Sequence, residues 1–236
     1  MLTMEKIILE SEINNDNYTE FVYNSYDIQN KEKSVVEVPM INLKELDQIS
    51  WNLGLIIGNS GSGKSTILKR LGTLKTPKYD PSKCVISQFP NMDEKSVCDL
   101  FYSVGLSSVP CWLRKPQELS NGEKARLDIC WYIANAEDGE TILIDEWTSV
   151  VNRDVAKSMS FALQRYVRQK NLKIIVASCH YDIIEWLQPD WVYNLNKQDE
   201  NGETEIEQLV YSDSSEYKAY SQINDWEILS DAKSIY

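Results

Sequence analysis

The sequence Gly58-Asn59-Ser60-Gly61-Ser62-Gly63-Lys64-Ser65-Thr66 lies between the apolar run Leu53–Ile57 and a helix-forming stretch at Ile67–Leu71. Its glycines let successive backbone N–H groups curl around phosphate oxygens, and the following helix presents its positive N-terminus to the same anion. In this Walker A spacing, Lys64 reaches the β- and γ-phosphates and the Ser65 hydroxyl binds Mg²⁺. A glycine-rich turn without a ligand is the alternative, and the motifs further along the chain disfavour it.

A second motif follows at Thr141–Glu146, where a buried-strand pattern ends in two adjacent carboxylates. Asp145 is predicted to hold Mg²⁺, and Glu146 is predicted to orient or deprotonate the attacking water. Two solvated acids at a strand end are the alternative for this Walker B motif taken alone. Together the two motifs predict that the chain binds and hydrolyses a nucleoside triphosphate.

Between them, Leu119-Ser120-Asn121-Gly122-Glu123 opens a helix predicted from about Lys124 to Ala134. Ser120 and Glu123 form a capping box, which explains these two residues without any function. Capping does not explain Gly122, because glycine is unfavourable in a first helical turn unless something approaches the backbone closely. The segment is therefore a candidate ligand contact as well as a helix start.

This segment resembles the LSGGQ signature of ABC-type ATPases, and other motifs of that family follow in order. Gln88 is similar to the Q-loop glutamine that contacts Mg²⁺ and the attacking water. Ser149 and Asn152 are similar to D-loop residues. His180, the only histidine, falls where the family carries its H-loop histidine against the γ-phosphate. A satisfied structural histidine is the alternative.

The resemblance covers roughly residues 20–195 and has departures. Asn121 stands where the signature usually has glycine, Glu123 where it usually has glutamine, and Asn152 where the D-loop usually has aspartate. The family also stacks an aromatic residue on the adenine upstream of Walker A. Tyr26 is the candidate for this role, with Tyr23 beside it.

The segments 147–153 and 178–191 are similar, more narrowly, to a group of soluble ABC ATPases that are sometimes fused to a predicted acetyltransferase domain. The chain of 236 residues leaves no room for that domain after the ATPase. Acetyltransferase activity is therefore expected to be absent or supplied by another protein. The group's cargo is poorly defined.

The resemblance implies an α/β P-loop NTPase of ABC type, with a mainly parallel nucleotide-binding sheet, an antiparallel β subdomain and a short α-helical insert. Residues 1–211 are predicted to form the ATPase domain, with the antiparallel region at 1–50 and the insert at 91–135. Residues 212–236 are predicted to be an acidic tail, a docking segment or a final helix. The predicted parallel strands are Leu53–Ile57, Cys84–Ser87, Thr141–Ile144 and Lys173–Ser178; the predicted antiparallel segments are Lys6–Leu9, Phe21–Tyr26 and Ser34–Val38, with a hairpin around Asn201-Gly202.

In the family, ATP and Mg²⁺ are held at composite sites of a head-to-tail dimer, where the signature acts in trans. Here that role falls to Ser120, Asn121, Gly122 and Glu123. Three functions are weighed: a soluble ATPase whose dimer opens and closes around a cargo, with nucleic acid or nucleoprotein as candidates; a transporter ATPase subunit; and a nucleotide-sensing protein with slow hydrolysis. The short insert favours the first.

Composition agrees with a cytoplasmic protein. The net charge of −12 argues against indiscriminate coating of nucleic acid or anionic lipid. Five cysteines without a CxxC pair indicate buried reduced thiols, and no apolar stretch is long enough for an integral membrane segment. A basic face is predicted on the helix at 153–173, either as an ordinary solvated surface or as a docking strip for an acidic partner or a nucleic-acid backbone.

Overall fold

The computed structural model describes residues 6–199, 204–211 and 219–221. The strands are β1 (Lys6–Glu12), β2 (Lys33–Pro39), β3 (Leu53–Ile57), β4 (Thr141–Ile144), β5 (Lys173–Ser178), β6 (Trp191–Asn194), β7 (Ile206–Tyr211) and β8 (Ala219–Ser221). The helices are α1 (Asn17–Tyr26), α2 (Leu43–Leu46), α3 (Lys64–Leu71), α4 (Glu94–Ser103), α5 (Val109–Trp112), α6 (Asn121–Ala134), α7 (Arg153–Gln169) and α8 (Ile183–Leu187), with 3-10 turns at Val85–Gln88 and Pro116–Glu118.

The main sheet has the order β4-β5-β3-β6-β7-β8. Its first four strands are parallel, and β7 and β8 extend it in antiparallel register. The continuous apolar runs of β3 and β5 suit strands that are covered on both faces. The predicted mainly parallel α/β sheet is confirmed.

Side chains of β3 alternate between two hydrophobic cores, one on each face of the sheet. Leu53, Leu55 and Ile57 contribute to the larger core, which includes buried residues of α4, α6 and α7. Ile56 contributes to the other core, with Ile67 of α3. All five residues of β3 are buried, so the loop that follows this strand is anchored to the core.

A glycine in β3 makes room for a tryptophan of the neighbouring strand. A Cβ atom added at Gly54 would lie 2.0 Å from the Trp191 ring, so no other residue fits there without moving that ring. Trp191 is fully buried and meets Trp51 edge to face, with ring centroids 5.6 Å apart. The packing of Trp191 against Gly54 and Trp51 holds β6 against β3.

The N-terminal region differs from the prediction of three antiparallel segments. β1 and β2 pair as a separate two-stranded sheet, but Phe21–Tyr26 lies in α1. Asp16 caps this helix with a capping box, and a capping side chain is a strong helix-start signal that outweighs the β-propensity of aromatic residues. The predicted strand at Phe21–Tyr26 is therefore wrong.

The predicted strand Cys84–Ser87 is also wrong, because Val85–Gln88 forms a 3-10 turn. Only Val85 of this turn is buried, and its backbone N–H donates to Arg114 O at 2.9 Å. The stretch predicted to be a helical insert contains α4, α5 and α6. The three apolar residues Cys84–Ile86 suited a short strand equally well, since periodicity does not separate a strand from a turn of helix for so short a run.

At the C-terminal end, β6 and β7 pair as the hairpin prediction requires, although Asn201-Gly202 lies outside the described residues. Ala219–Ser221 pairs with β7, so part of the predicted tail belongs to the sheet. The rest of the tail lies outside the described residues. None of the helices in the described ranges combines the length and apolar character that crossing a bilayer requires.

Candidate active site

Three motif loops leave the sheet at the same edge. The Walker A loop follows β3, Asp145 follows β4, and His180 lies two residues beyond β5, which runs between the other two strands. Since these strands are parallel, their carboxyl ends meet where ligands bind in open α/β sheets. Two backbone hydrogen bonds join the loops: Trp147 N donates to Ala177 O at 2.7 Å, and Gly58 N donates to Ser178 O at 3.4 Å.

The Walker A loop curls around the ammonium group of Lys64. Nζ of Lys64 donates to the carbonyl oxygens of Gly58 and Asn59, each at 2.7 Å. Gly61 and Gly63 have φ angles of 80° and 97°, which strongly favour glycine. Ser65 and Thr66 fall in the first turn of α3, whose N-cap Gly63 supplies no side-chain hydrogen bond.

This loop fits a phosphate-bearing ligand. The Ser62 hydroxyl is buried and has no hydrogen-bond partner among the described residues, an arrangement that is costly unless a ligand or water satisfies it. A Cβ at Gly58 would lie 2.7 Å from that hydroxyl and 2.9 Å from Leu195 Cβ, so the loop needs a glycine there. With no side-chain cap, the first N–H groups of α3 remain available to an anion.

The residues around Asp145 also fit Mg²⁺. The described residues contain no group of three or more His, Cys, Asp or Glu side chains able to hold a metal ion. Mg²⁺ typically takes one or two protein oxygens together with substrate phosphates. A donor set of the Ser65 hydroxyl and the Asp145 carboxylate matches that preference.

Glu146 occupies an unusual backbone conformation at the end of β4. Its φ angle is 52°, and Thr148 two residues later has a φ angle of 66°. The Glu146 N–H donates to Asp145 Oδ1 at 2.9 Å, while the Glu146 side chain is exposed. Left-handed conformations of residues other than glycine are sparsely populated and cluster at functional sites.

His180 is held beside this turn by Ser178. The Ser178 hydroxyl donates to Trp147 O at 3.0 Å and accepts from His180 N at 3.1 Å. Partial burial lowers the pKa of His180 below its ordinary value, and the nearby Arg153 cation lowers it further, against an opposing effect of Asp182. The imidazole is therefore mostly neutral at neutral pH and is able to donate or accept a hydrogen bond.

The D-loop candidates lie between Glu146 and α7. Ser149 N donates to Glu146 O at 3.0 Å, and Asn152 caps α7 by accepting from Val155 N at 2.9 Å. Asparagine and aspartate are comparable N-caps, so the departure at Asn152 preserves the start of the helix. Arg153 then forms an ion pair with Asp182, which lies two residues beyond His180.

The signature candidates begin α6 as predicted. Ser120 and Glu123 form the capping box, and a second Glu123 oxygen accepts from Arg114 Nη2 at 2.6 Å. The Ser120 hydrogen bonds, more than this ion pair, lower the pKa of Glu123. A Cβ at Gly122 would lie 3.2 Å from Val155 Cγ1, so packing against α7 favours glycine here, a reason the sequence did not reveal. Asn121 is the first residue of the helix.

Gln88 has a local role in the structure. Its Oε1 accepts from Asp80 N at 2.9 Å, and its Nε2 donates to the carbonyl oxygens of Asp80 and Lys83, both at 3.0 Å. This amide therefore closes the turn at residues 80–84. Contact between Gln88 and Mg²⁺ stays a prediction.

Tyr26 ends α1 with 70% of its surface exposed. None of the described hydrogen bonds or ring contacts joins it to the Walker A loop. Tyr23 instead donates its hydroxyl to Lys31 O at 3.1 Å within the N-terminal region. The adenine-stacking role of Tyr26 stays a prediction.

The basic face predicted on α7 is smaller than its sequence suggests. Arg168 donates to Asp190 Oδ1 at 2.9 Å, and Arg153 is paired with Asp182.

All five cysteines are free; Cys111 and Cys130 are buried, whereas Cys179 is exposed, which the prediction of buried thiols missed. Sequence reasoning also missed Asn196, which hydrogen-bonds to Asn59 of the Walker A loop, and Tyr181, whose hydroxyl accepts from Asn196 Nδ2; no motif marks either of them.

No protein-family model matches this sequence, and no curated protein matches it either. Solved structures do match the fold. The dimeric structure of MJ0796, a bacterial ABC transporter cassette, matches with a TM-score of 0.53 and 17% identity, covering 74% of this chain and 92% of that one. A dimeric post-hydrolysis state of the ATP-binding cassette MJ0796, bound to ADP and Pi, matches with a TM-score of 0.54 and 16% identity, covering 77% and 94%. The chain therefore has the fold of an ATP-binding cassette.

Proposed function

We propose that this chain, which has the fold of an ATP-binding cassette, is a soluble cytoplasmic ATPase that works as an ATP-dependent homodimer. The observation that carries the proposal is the convergence of the Walker A loop, the Asp145-Glu146 pair and His180 at the carboxyl edge of three adjacent parallel strands. Residues that carry these sequence motifs are far apart in the chain, yet they lie at one edge of the sheet.

Lys64 supplies the positive charge for the β- and γ-phosphates, and residues 58–66 supply backbone N–H donors. Ser65 and Asp145 would hold Mg²⁺, which neutralises phosphate charge when bound, with Gln88 as a further candidate ligand. Glu146 orients or deprotonates the attacking water, and its exposed carboxylate leaves it free to do so. Neutral His180 contacts the γ-phosphate from the adjacent strand.

The second half of each site comes from a partner copy. The N-terminus of α6, with Ser120, Asn121, Gly122 and Glu123, would cap the γ-phosphate held by the partner's Walker A loop, and Ser149 and Asn152 would lie at the same interface. The two similar structures are dimeric, which supports this arrangement. Closing on ATP and opening after hydrolysis would then act on a cargo, with nucleic acid or nucleoprotein as candidates.

The test is ATP hydrolysis by the parent protein and by Glu146→Gln. The variant keeps side-chain size but loses the carboxylate, so the turnover rate should fall about 10²- to 10⁴-fold. Glu137→Gln is a matched control, because Glu137 is an exposed acid before the other end of β4. Full activity in Glu146→Gln would contradict the assigned role, and no turnover in the parent would favour slow nucleotide sensing.

A further inference from the structure

A hydrogen-bonded bridge joins the H-loop to the entrance of the Walker A loop. Its central residue is Asn196, which follows β6 and pairs with Asn59 in two places. Asn59 N donates to Asn196 Oδ1 at 3.1 Å, and Asn196 Nδ2 donates to Asn59 Oδ1 at 3.0 Å. This pairing holds both the backbone and the side chain of Asn59.

Tyr181 fixes the other side of the Asn196 amide. Asn196 Nδ2 donates to the Tyr181 hydroxyl at 2.8 Å, and that hydroxyl donates to Asn194 Oδ1 at 3.0 Å. Asn194 is 5% exposed and pairs with Ile57 in the sheet, so it is a rigid anchor. Asn194 Oδ1 also accepts from Asn196 N at 3.1 Å, which sets the backbone of Asn196.

The bridge ends on the residues proposed to meet the γ-phosphate. At one end, the Asn59 carbonyl accepts from Lys64 Nζ at 2.7 Å, so Asn59 and the Gly58 carbonyl together hold that ammonium group. At the other end, Tyr181 directly follows His180. Lys64 and His180 are thereby tied to one another through Asn59 of the Walker A loop and through Asn196 and Tyr181, which belong to neither motif.

We propose that Asn196 is a positioning residue for nucleotide binding, which holds Asn59 and through it Lys64, and that Tyr181 acts by orienting the Asn196 amide. The inference rests on the proposed function and extends it to residues outside the six family motifs. It assigns to the loop after β6 a part in forming the phosphate site.

Three variants test the bridge, with ATP·Mg²⁺ as the ligand in direct binding and steady-state hydrolysis. Asn196→Ala should raise the Kd for ATP about three- to ten-fold, because solvent-exposed hydrogen bonds contribute modestly. Tyr181→Phe should raise it by less, about two- to four-fold, since it removes one hydroxyl. In both variants kcat at saturating ATP should stay within about two-fold of the parent, because the reacting groups are intact.

The double variant separates positioning from general weakening of the fold. If Tyr181 acts through Asn196, then Tyr181→Phe should change the Kd little once Asn196→Ala is present, so the two effects are not additive. Asn52→Ala is the matched control, because Asn52 Nδ2 also bridges two segments, donating to Asn171 Oδ1 at 3.1 Å and to Leu172 O at 2.9 Å. It lies before β3, at the opposite edge, and should lower the Tm without changing the Kd.

An unchanged Kd in folded Asn196→Ala, or fully additive effects in the double variant, would overturn the bridge while leaving the proposed ATPase intact. A parent protein that binds neither ATP nor ADP would instead overturn the proposed function itself. If Asn196→Ala failed to fold, Tyr181→Phe alone would decide, since an unchanged Kd there contradicts the orienting role.

Discussion

The N-termini of α3 and α6 differ in how their backbone N–H groups are capped. The N-terminus of α3 has no side-chain cap, and the ammonium group of its first residue, Lys64, lies inside the loop that precedes the helix. The N-terminus of α6 is closed by its own residues, because Ser120 and Glu123 cap one another and Arg114 pairs with Glu123. One end is therefore open to an anion, and the other already satisfies part of its donors.

This difference suggests that the two helix ends have separate roles. The open end of α3, with its cation, is suited to bind the phosphates within one chain. The self-capped end of α6 carries a carboxylate of its own, so it is expected to gain little from a phosphate unless a dimer brings the two together in a fixed geometry. Nucleotide binding should then depend on α3, and dimer formation on α6.

Lys64→Ala should have the largest effect on this comparison. A charge-assisted phosphate contact contributes about 1.5–3 kcal/mol, so the Kd for ATP should rise about 10- to 150-fold. Lys69→Ala, in the exposed last turn of the same helix, is the control and should bind as the parent does. Titration with a fluorescent ATP analogue measures both, and parental affinity in Lys64→Ala would remove the distinction between the two helix ends.

Ser120→Arg probes the other end. It should weaken ATP-dependent dimerisation about ten-fold or more while the monomer still binds ATP, because the bulky cation replaces the N-cap that is proposed to face the partner. Mixing it with Lys64→Ala should restore up to one working site per heterodimer. Hydrolysis by the mixture is the readout, and absence of rescue with both proteins folded would argue against composite sites.

Ser120→Asp sharpens this test. Aspartate is as good an N-cap as serine, so the hydrogen bond from Glu123 N should be kept, while the bond that the Ser120 hydroxyl donates to Glu123 Oε2 at 2.9 Å is lost. Its negative charge would nevertheless face the γ-phosphate of the partner, and dimerisation should weaken. If Ser120→Asp dimerises as well as the parent, the N-terminus of α6 does not meet a phosphate.

The smallest effect is expected at His180, which is proposed to contact the nucleotide that the N-terminus of α3 binds. Removing the Arg153 cation in Arg153→Gln should raise the pKa of His180, because a repulsion is lost and Asp182 remains. The only histidine of the chain gives one imidazole C2 proton signal, and its NMR titration measures the pKa directly. A lowered or unchanged pKa would contradict the assigned electrostatics.

The same shift predicts how stability depends on pH. The native pKa of His180 lies below the unfolded value, so the unfolded chain takes up its proton first as the pH falls. His180 should therefore reduce the free energy of unfolding as the pH drops through the unfolded value of about 6.5, and should have no effect well above it. Denaturation of the parent and of His180→Gln across this range compares the slopes.

The sequence predicted the parts of the fold where pattern and burial agree. Leu53–Ile57 and Lys173–Ser178 are continuous apolar runs that became strands, and the capping box at Ser120 and Glu123 became the start of α6. Phe21–Tyr26 failed as a strand because Asp16 caps a helix there, and none of the residues of α1 is buried to impose a sheet pattern.

Parts of the site depend on contacts that no pattern contains. The pairing of Asn196 with Asn59 joins residues that are distant in sequence, and polar residues in loops carry no periodic signal. The preference for glycine at Gly122 likewise comes from its close packing against α7, which the sequence does not show. Local motifs thus located the loops, and tertiary contacts determine what orients them.

The proposed dimer encloses ATP between α3 of one copy and α6 of the other. Its most direct test is the mass of Glu146→Gln by size-exclusion chromatography with light scattering, since blocked hydrolysis should trap the closed state. With saturating ATP·Mg²⁺ the variant should shift from monomer to stable dimer, and with ADP it should stay monomeric. A monomer mass under saturating ATP, in a variant shown to bind ATP, would contradict the claim.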